Sequence, residues 1–194
     1  MPPDADPHAP SGHILIVCTG NICRSPYIER VLAHELADTG ILVSSAGTGA
    51  LVGNPIDPQS ASRVAAAGAD PEGFAARQVT KQIVADADLI IGATREHLAD
   101  IVPLHPRALR YAFALHDLGD LLAAVTPAEI AAAPGDNRVA KVAAAAISKR
   151  GIVNPRLPEE SGIVDPYRQP TEVFDQMVSE IATSLPSILK ALRS

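Results

Sequence analysis

His13-Ile-Leu-Ile-Val-Cys-Thr-Gly-Asn-Ile-Cys-Arg-Ser-Pro26 is the stretch on which the fold turns. Its first five residues, His13–Val17, form a β-branched apolar run that reads as a buried strand. Cys18–Ser25 is rich in turn formers. Pro26 suits the first turn of a helix, where a missing N–H has no partner to lose. A helical pattern then runs to about Asp38 and is stopped by Gly40. A strand passing through a tight loop into a helix begins a crossover unit, and open α/β sheets bind ligands at that place.

The alternation continues downstream. Ile41–Ser45 reads as a second strand. Asp57 and Pro58 open a helix that Gly68 closes, and Thr80 caps a short helix through Asp86. Leu89–Ala93 is a third strand, Thr94 begins another helix, and Arg110–Ala114 is a weaker fourth strand. Strands alternating with helices imply crossovers, so the expected fold is α/β: a four-stranded parallel sheet with helices on both faces. From Leu118 to Ser161 the pattern changes. Thr126-Pro-Ala-Glu129 signals a capping box, and Asn137–Arg150 reads as an alanine-rich helix ended by Gly151. Asn154–Gly162 and Asp165–Pro170 read as loops. Thr171–Leu192 carries a helical apolar stripe that Pro186 is expected to kink or break.

The chain has 194 residues, 47% of them hydrophobic and 3% aromatic, with a net charge of -6. That length favours one domain, residues 13–194, with an enlarged excursion at 118–161. The acidic balance argues against nucleic acid as a partner, since binding it needs basic surface. No apolar run reaches the roughly 18–20 residues of a membrane span. The first twelve residues hold four prolines and no apolar core, so a disordered tail is expected rather than a signal peptide. Two cysteines, Cys18 and Cys23, are too few for a secreted disulfide scaffold, and the cytoplasm is the expected location.

The chemistry concentrates between Cys18 and Arg24. Amides at a helix start point outward unpaired and suit an anion, and Gly20 lets the loop curl with its N–H groups inward. Such amides, with a guanidinium nearby, favour thiolate over thiol at Cys18. Arg24 offers a planar fork for two phosphate oxygens, and Ser25 a hydrogen bond to the sulfur. A bare C-x5-R spacing is a weak signal by itself. The strand before it, the Gly-Asn within it and the Arg-Ser-Pro at the helix start give it context. Thr19, Gly20, Asn21, Ile22, Cys23 and Ser25 complete the expected phosphate loop.

Val17-Cys-Thr-Gly-Asn-Ile-Cys-Arg-Ser-Pro26 resembles the signature loop of the low-molecular-weight protein tyrosine phosphatases. Ser45-Ala-Gly47, Ala76-Arg-Gln-Val-Thr-Lys81 and Asp165-Pro-Tyr167 are similar to further family segments. The resemblance implies a protein tyrosine phosphatase that works through a cysteinyl-phosphate, with Asp165 as general acid and base. It implies that Asn21 hydrogen-bonds Ser45, that Cys18 and Cys23 can form a reversible disulfide, and that Ile22 accompanies phosphotyrosine preference. It suggests as partner a phosphotyrosine protein, such as a tyrosine kinase of exopolysaccharide production, with phosphate or another oxyanion in the loop. No cofactor or metal is called for, because Arg24 and the loop amides supply the positive field. The six histidines show no ligand spacing; His34, His97, His105 and His116 read as surface or loop groups.

There are departures. An aromatic residue common after Ser45-Ala-Gly47 is missing; Leu51 is expected to stand in with less stacking, and Tyr167 to flank the cleft. Phe74 occupies a place where a histidine is common, and Arg168 follows Asp-Pro-Tyr where many members have a second tyrosine. Two alternatives share the loop: an arsenate reductase using a low-molecular-weight thiol, and a non-catalytic phosphoprotein-binding module.

Overall fold

The computed structural model describes residues 11–193, so residues 1–10 of the expected tail lie outside the described residues. Ser11 and Gly12 are tied down: Ser11 N–H donates to Gly40 O at 3.0 Å, and Leu42 N–H donates to Gly12 O at 2.9 Å. Strands β1 (His13–Cys18), β2 (Leu42–Gly47), β3 (Leu89–Gly92) and β4 (Ala112–Ala114) form a parallel sheet in the order β2-β1-β3-β4. β1 lies inside the sheet, with Cys18 level with Gly47 on one side and Val17 level with Gly92 on the other. It is buried on both faces, which is why its sequence is continuously apolar.

The helices are α1 (Arg24–Glu35), α2 (Pro58–Ala66), α3 (Lys81–Ala85), α4 (Arg95–Ile101), α5 (Leu115–Ala123), α6 (Pro127–Ala132), α7 (Arg138–Ser148) and α8 (Thr171–Arg193). Ile14 and Ile16 of β1 pack with Ile28 and Leu32 of α1, Leu118 of α5, Val142 of α7 and Met177 of α8. Leu15 and Val17 point the other way, against Val84 of α3 and Ile101 of α4. Met177 is fully buried; Met177→Ala would cost about 2–5 kcal/mol, since its cavity cannot fully collapse.

The capping signals at Asp57, Thr80 and Thr126 hold, each accepting a backbone N–H at the start of its helix, and Asn137 does the same for α7. Three expectations change. β4 begins at Ala112, because Pro106–Arg110 closes into a 3-10 turn first. Pro186 does not break α8. It lies on the exposed side, as does Ala182, whose carbonyl loses its helical partner; water can satisfy that carbonyl, while Leu185 and Ile188 stay buried. The 118–161 segment is not peripheral: Val139, Val142, Ala143, Ala145 and Ala146 of α7 are buried in the main core. Alanine lets this helix approach the sheet closely, and its apolar stripe is therefore weak in sequence.

Candidate active site

The carboxyl end of β1 and the first turn of α1 enclose a cavity of about 150 Å³ lined by Cys18, Thr19, Gly20, Ile22, Cys23, Arg24, Gly49, Leu51, Asp165 and Tyr167. A larger cavity of about 440 Å³ lies against β4, α4 and α5. Two nitrogens of Arg95 hold its Asp117 and two of Arg156 hold its Asp120, and no cysteine, serine or threonine lines it. Chemistry, not size, therefore points to the smaller one.

The loop's shape comes from where its carbonyls go. Those of Cys18, Thr19, Gly20 and Ile22 turn outward and accept the N–H groups of Thr48, Gly49, Leu51 and Asp57 at 2.8–3.0 Å. Among the described residues, no amide from Thr19 to Cys23 donates to another backbone carbonyl. The main chain is thus inverted into an anion nest at the start of α1. Gly47 is required for this close approach, since a Cβ there would lie 2.3 Å from Thr19 O.

Asn21 sits at φ +55°, a left-handed geometry that few side chains tolerate. Its amide locks that geometry. Nδ2 donates to Ser25 Oγ at 2.9 Å and to Ser45 Oγ at 2.7 Å, and Oδ1 accepts the Arg77 N–H at 2.9 Å. Because Asn21 donates to Ser25, the Ser25 hydroxyl proton is free to face Cys18 Sγ, 2.9 Å away. Ser45 in turn donates to the Glu29 carboxylate. Burial pushes the Glu29 carboxyl above the usual carboxylate range, although Ser45 opposes the shift. Glu29 was not singled out in sequence; it stands in the middle of α1 with only a helical position to mark it.

Arg24 is 5% exposed. Its guanidinium holds the distant C-terminal segment, donating Nη1–H to Ile163 O at 3.3 Å and Nη2–H to Asp165 Oδ2 at 2.7 Å. Ile163 N–H also donates to Ala93 O at the end of β3, and Val164 N–H donates to Glu180. Asp165 Oδ1 accepts the Tyr167 N–H at 3.1 Å. Leu51 and Tyr167 are both partly exposed on the cavity wall; of the site residues expected from sequence, Asn21, Ser25 and Ser45 lie buried behind the lining and the others form it.

Cys23 packs with Ile22, Ala76 and Phe174. Burial, followed by the negative charges of Asp57 and Cys18, pushes its thiol up to about 12. It is a protonated packing group here, and both cysteines are free.

His97 and His116 depart from the expected surface placement, since both are buried. His97 Nδ1 accepts the Thr94 N–H at 3.1 Å, so its proton is on Nε2, which reaches Thr19 Oγ1 at 2.9 Å. Burial, then the Arg24 charge, lowers its pKa to about 4. His97 therefore braces the loop as a neutral ring. Its sequence signal was position N3 after Thr94, where capping boxes usually place glutamate. His116 bonds Ser184 of α8 at 2.7 Å, and burial lowers its pKa.

The model of the family described as low molecular weight phosphotyrosine protein phosphatase matches residues 13–124. The protein-tyrosine-phosphatase Etp of Escherichia coli K12 is 43% identical over 93 residues, which is 48% of this chain and 62% of that protein. The chain thus spans less than two thirds of that relative. The tyrosine phosphatase amsI of Erwinia amylovora superposes with a TM-score of 0.68 over 94% of both chains, at 22% identity, which shows the fold. The tyrosine phosphatase Wzb of Escherichia coli K30, in complex with sulphate, gives a TM-score of 0.66 at 25% identity over 93% of this chain and 98% of that one.

Proposed function

The chain belongs to the low molecular weight phosphotyrosine protein phosphatase family, and on that premise we propose that it hydrolyses phosphotyrosine on proteins with Cys18 as nucleophile. The observation that carries this reading is the inverted loop: outward carbonyls, inward amides, Cys18 at its base and Arg24 at its end. That arrangement stabilises anionic sulfur and a tetrahedral oxyanion above it.

In the free site Asp165 occupies the Arg24 fork. A phosphate dianion competes for the same nitrogens and displaces the carboxylate. The displaced carboxylate takes up a proton from solvent and stands beside the leaving oxygen as its acid. Cys18 Sγ then attacks phosphorus, the ester P–O bond breaks, and Asp165 gives its proton to the departing phenolic oxygen. Ser25 steadies the sulfur by hydrogen bond. Asp165, now carboxylate, takes a proton from water as the water oxygen attacks phosphorus and the S–P bond breaks. Free phosphate and the thiolate result.

By resemblance, a tyrosine kinase of exopolysaccharide production is the class of protein substrate we propose. Among the described residues, no helix is long and apolar enough to cross a membrane. A nucleophilic free thiol suits a reducing compartment, the cytoplasm. Turnover of para-nitrophenyl phosphate tests the mechanism: Cys18→Ser is expected to abolish it, a loss of about 10⁴-fold or more. Undiminished turnover in that variant would overturn it.

A further inference from the structure

We propose that Arg168 is a specificity-determining residue that recognises an acidic side chain adjoining the phosphotyrosine, an inference that rests on the phosphatase reading above. The turn after Asp165 is closed by Gln169 N–H donating to Pro166 O at 2.9 Å. Arg168 lies in that turn at φ +59°. Asn21 and Arg168 are the two non-glycine residues with positive φ among the described residues. The Asn21 strain is held by three side-chain hydrogen bonds, to Ser25, to Ser45 and from the Arg77 N–H. The Arg168 strain aims a cation: its guanidinium stands 5.0 Å from the centroid of the Tyr167 ring. Tyr167 lines the cavity and Arg168 does not, so the charge rests at the mouth, braced on the aromatic wall.

Its neighbours leave this charge uncommitted. Among the described residues, no carboxylate comes within 4 Å of Arg168. Inside the cavity, Arg24 is committed to the phosphate. The facing wall, residues 48–54, contains no ionisable side chain. A cavity of about 150 Å³ takes the phosphorylated ring and leaves the peptide main chain outside, passing Tyr167. A flanking aspartate or glutamate then meets a planar fork that matches its carboxylate. The pair is solvent-exposed, so its effect is a few-fold preference.

The experiment compares kcat/KM for a phosphotyrosine peptide with acidic flanks against one with neutral flanks, with para-nitrophenyl phosphate as a reference that has no flanks. The chain's net charge of -6 repels acidic peptides as a whole, but this long-range effect changes by only one charge in Arg168→Gly and not at all in Arg168→Lys. The readout is therefore the change in the acidic-to-neutral ratio. Arg168→Gly tolerates the positive φ and is expected to lower the ratio about two- to fivefold. Arg168→Lys should largely keep it, and Arg168→Glu should lower it further. An unchanged ratio in Arg168→Gly and Arg168→Glu overturns the proposal. So does an equal fall on all three substrates, which would make Arg168 a mere prop for Tyr167. If the wild-type protein lacks Cys18-dependent turnover of para-nitrophenyl phosphate, the phosphatase reading fails instead.

Discussion

The two halves of the site are built in different ways. The half proposed to hold the nucleophile is eight consecutive residues, Cys18–Ser25, six of them buried, with four carbonyls pinned by the 48–57 segment. The acid half arrives from about 140 residues away. It hangs on Arg24, on the end of β3 and on Glu180, and the Asp165 side chain remains 53% exposed. A rigid main-chain cradle suits the holding of an anion that must not move. An exposed, lightly tethered carboxylate suits the acid proposed above, which leaves Arg24, gives up a proton and takes one back. Damage to the first half should therefore impair binding, chemistry and folding together, whereas damage to the second should separate them.

The sharpest test of that contrast is Asp165→Asn. The proposed acid is lost, so kcat should fall about 10²- to 10³-fold. The carboxylate that competes for Arg24 is also lost, so inorganic phosphate or vanadate should inhibit this variant more strongly than wild type. Parallel inhibition titrations check this. Weaker inhibition would mean that Asp165 supports the cradle, and the two halves would no longer be separable.

Asn21 tests the other half. Asn21→Ala loses three hydrogen bonds and keeps a backbone that alanine resists, whereas Asn21→Gly loses the bonds but relieves the strain. Alanine should cost about 2–3 kcal/mol of stability and glycine less, by about 1 kcal/mol. In both, kcat/KM should fall together with phosphate affinity. Urea unfolding beside kinetics reads both quantities. Intact phosphate affinity in Asn21→Ala would show that the cradle does not need its lock.

The contrast also explains what was legible in sequence. Cys18, Gly20, Asn21, Arg24 and Ser25 could be placed because their geometry is set within one strand–loop–helix unit. Asp165 was found by its motif and could not be placed by spacing, since only tertiary contacts bring it to Arg24. Glu29 and His97 were missed because each acts through a single tertiary contact: Glu29 of α1 reaches Asn21 only by way of Ser45 of β2, and His97 of α4 reaches Thr19. The α7 helix was visible in its pattern, but its depth in the core was not, because alanine is equally at home on a surface. Pro186 was over-read. A proline whose freed carbonyl faces water costs far less than one in the buried face.

His97 offers the smallest and most specific test. Its native pKa is about 4, against the ordinary 6.5 expected in the unfolded chain. Between those values the unfolded chain binds a proton that the native protein excludes. Stability is therefore complete above pH 6.5 and declines as the pH falls toward 4. At pH 5.5 the expected loss is about 1.4 kcal/mol. His116, also lowered by burial, adds loss of the same sign, while Glu29, whose native pKa is raised, contributes the opposite sign. Total stability against pH thus mixes several groups, Asp120 and Glu129 among them at the acid end, but the difference between wild type and His97→Gln isolates one. Glutamine can keep a hydrogen bond to Thr19 without titrating. Urea unfolding at pH 7.5 and 5.5 should show a shallower loss in the variant by roughly that amount. Identical losses would mean that the ring already takes up its proton inside the fold, and that a charged imidazolium, rather than a neutral brace, stands beside Thr19 and Arg24.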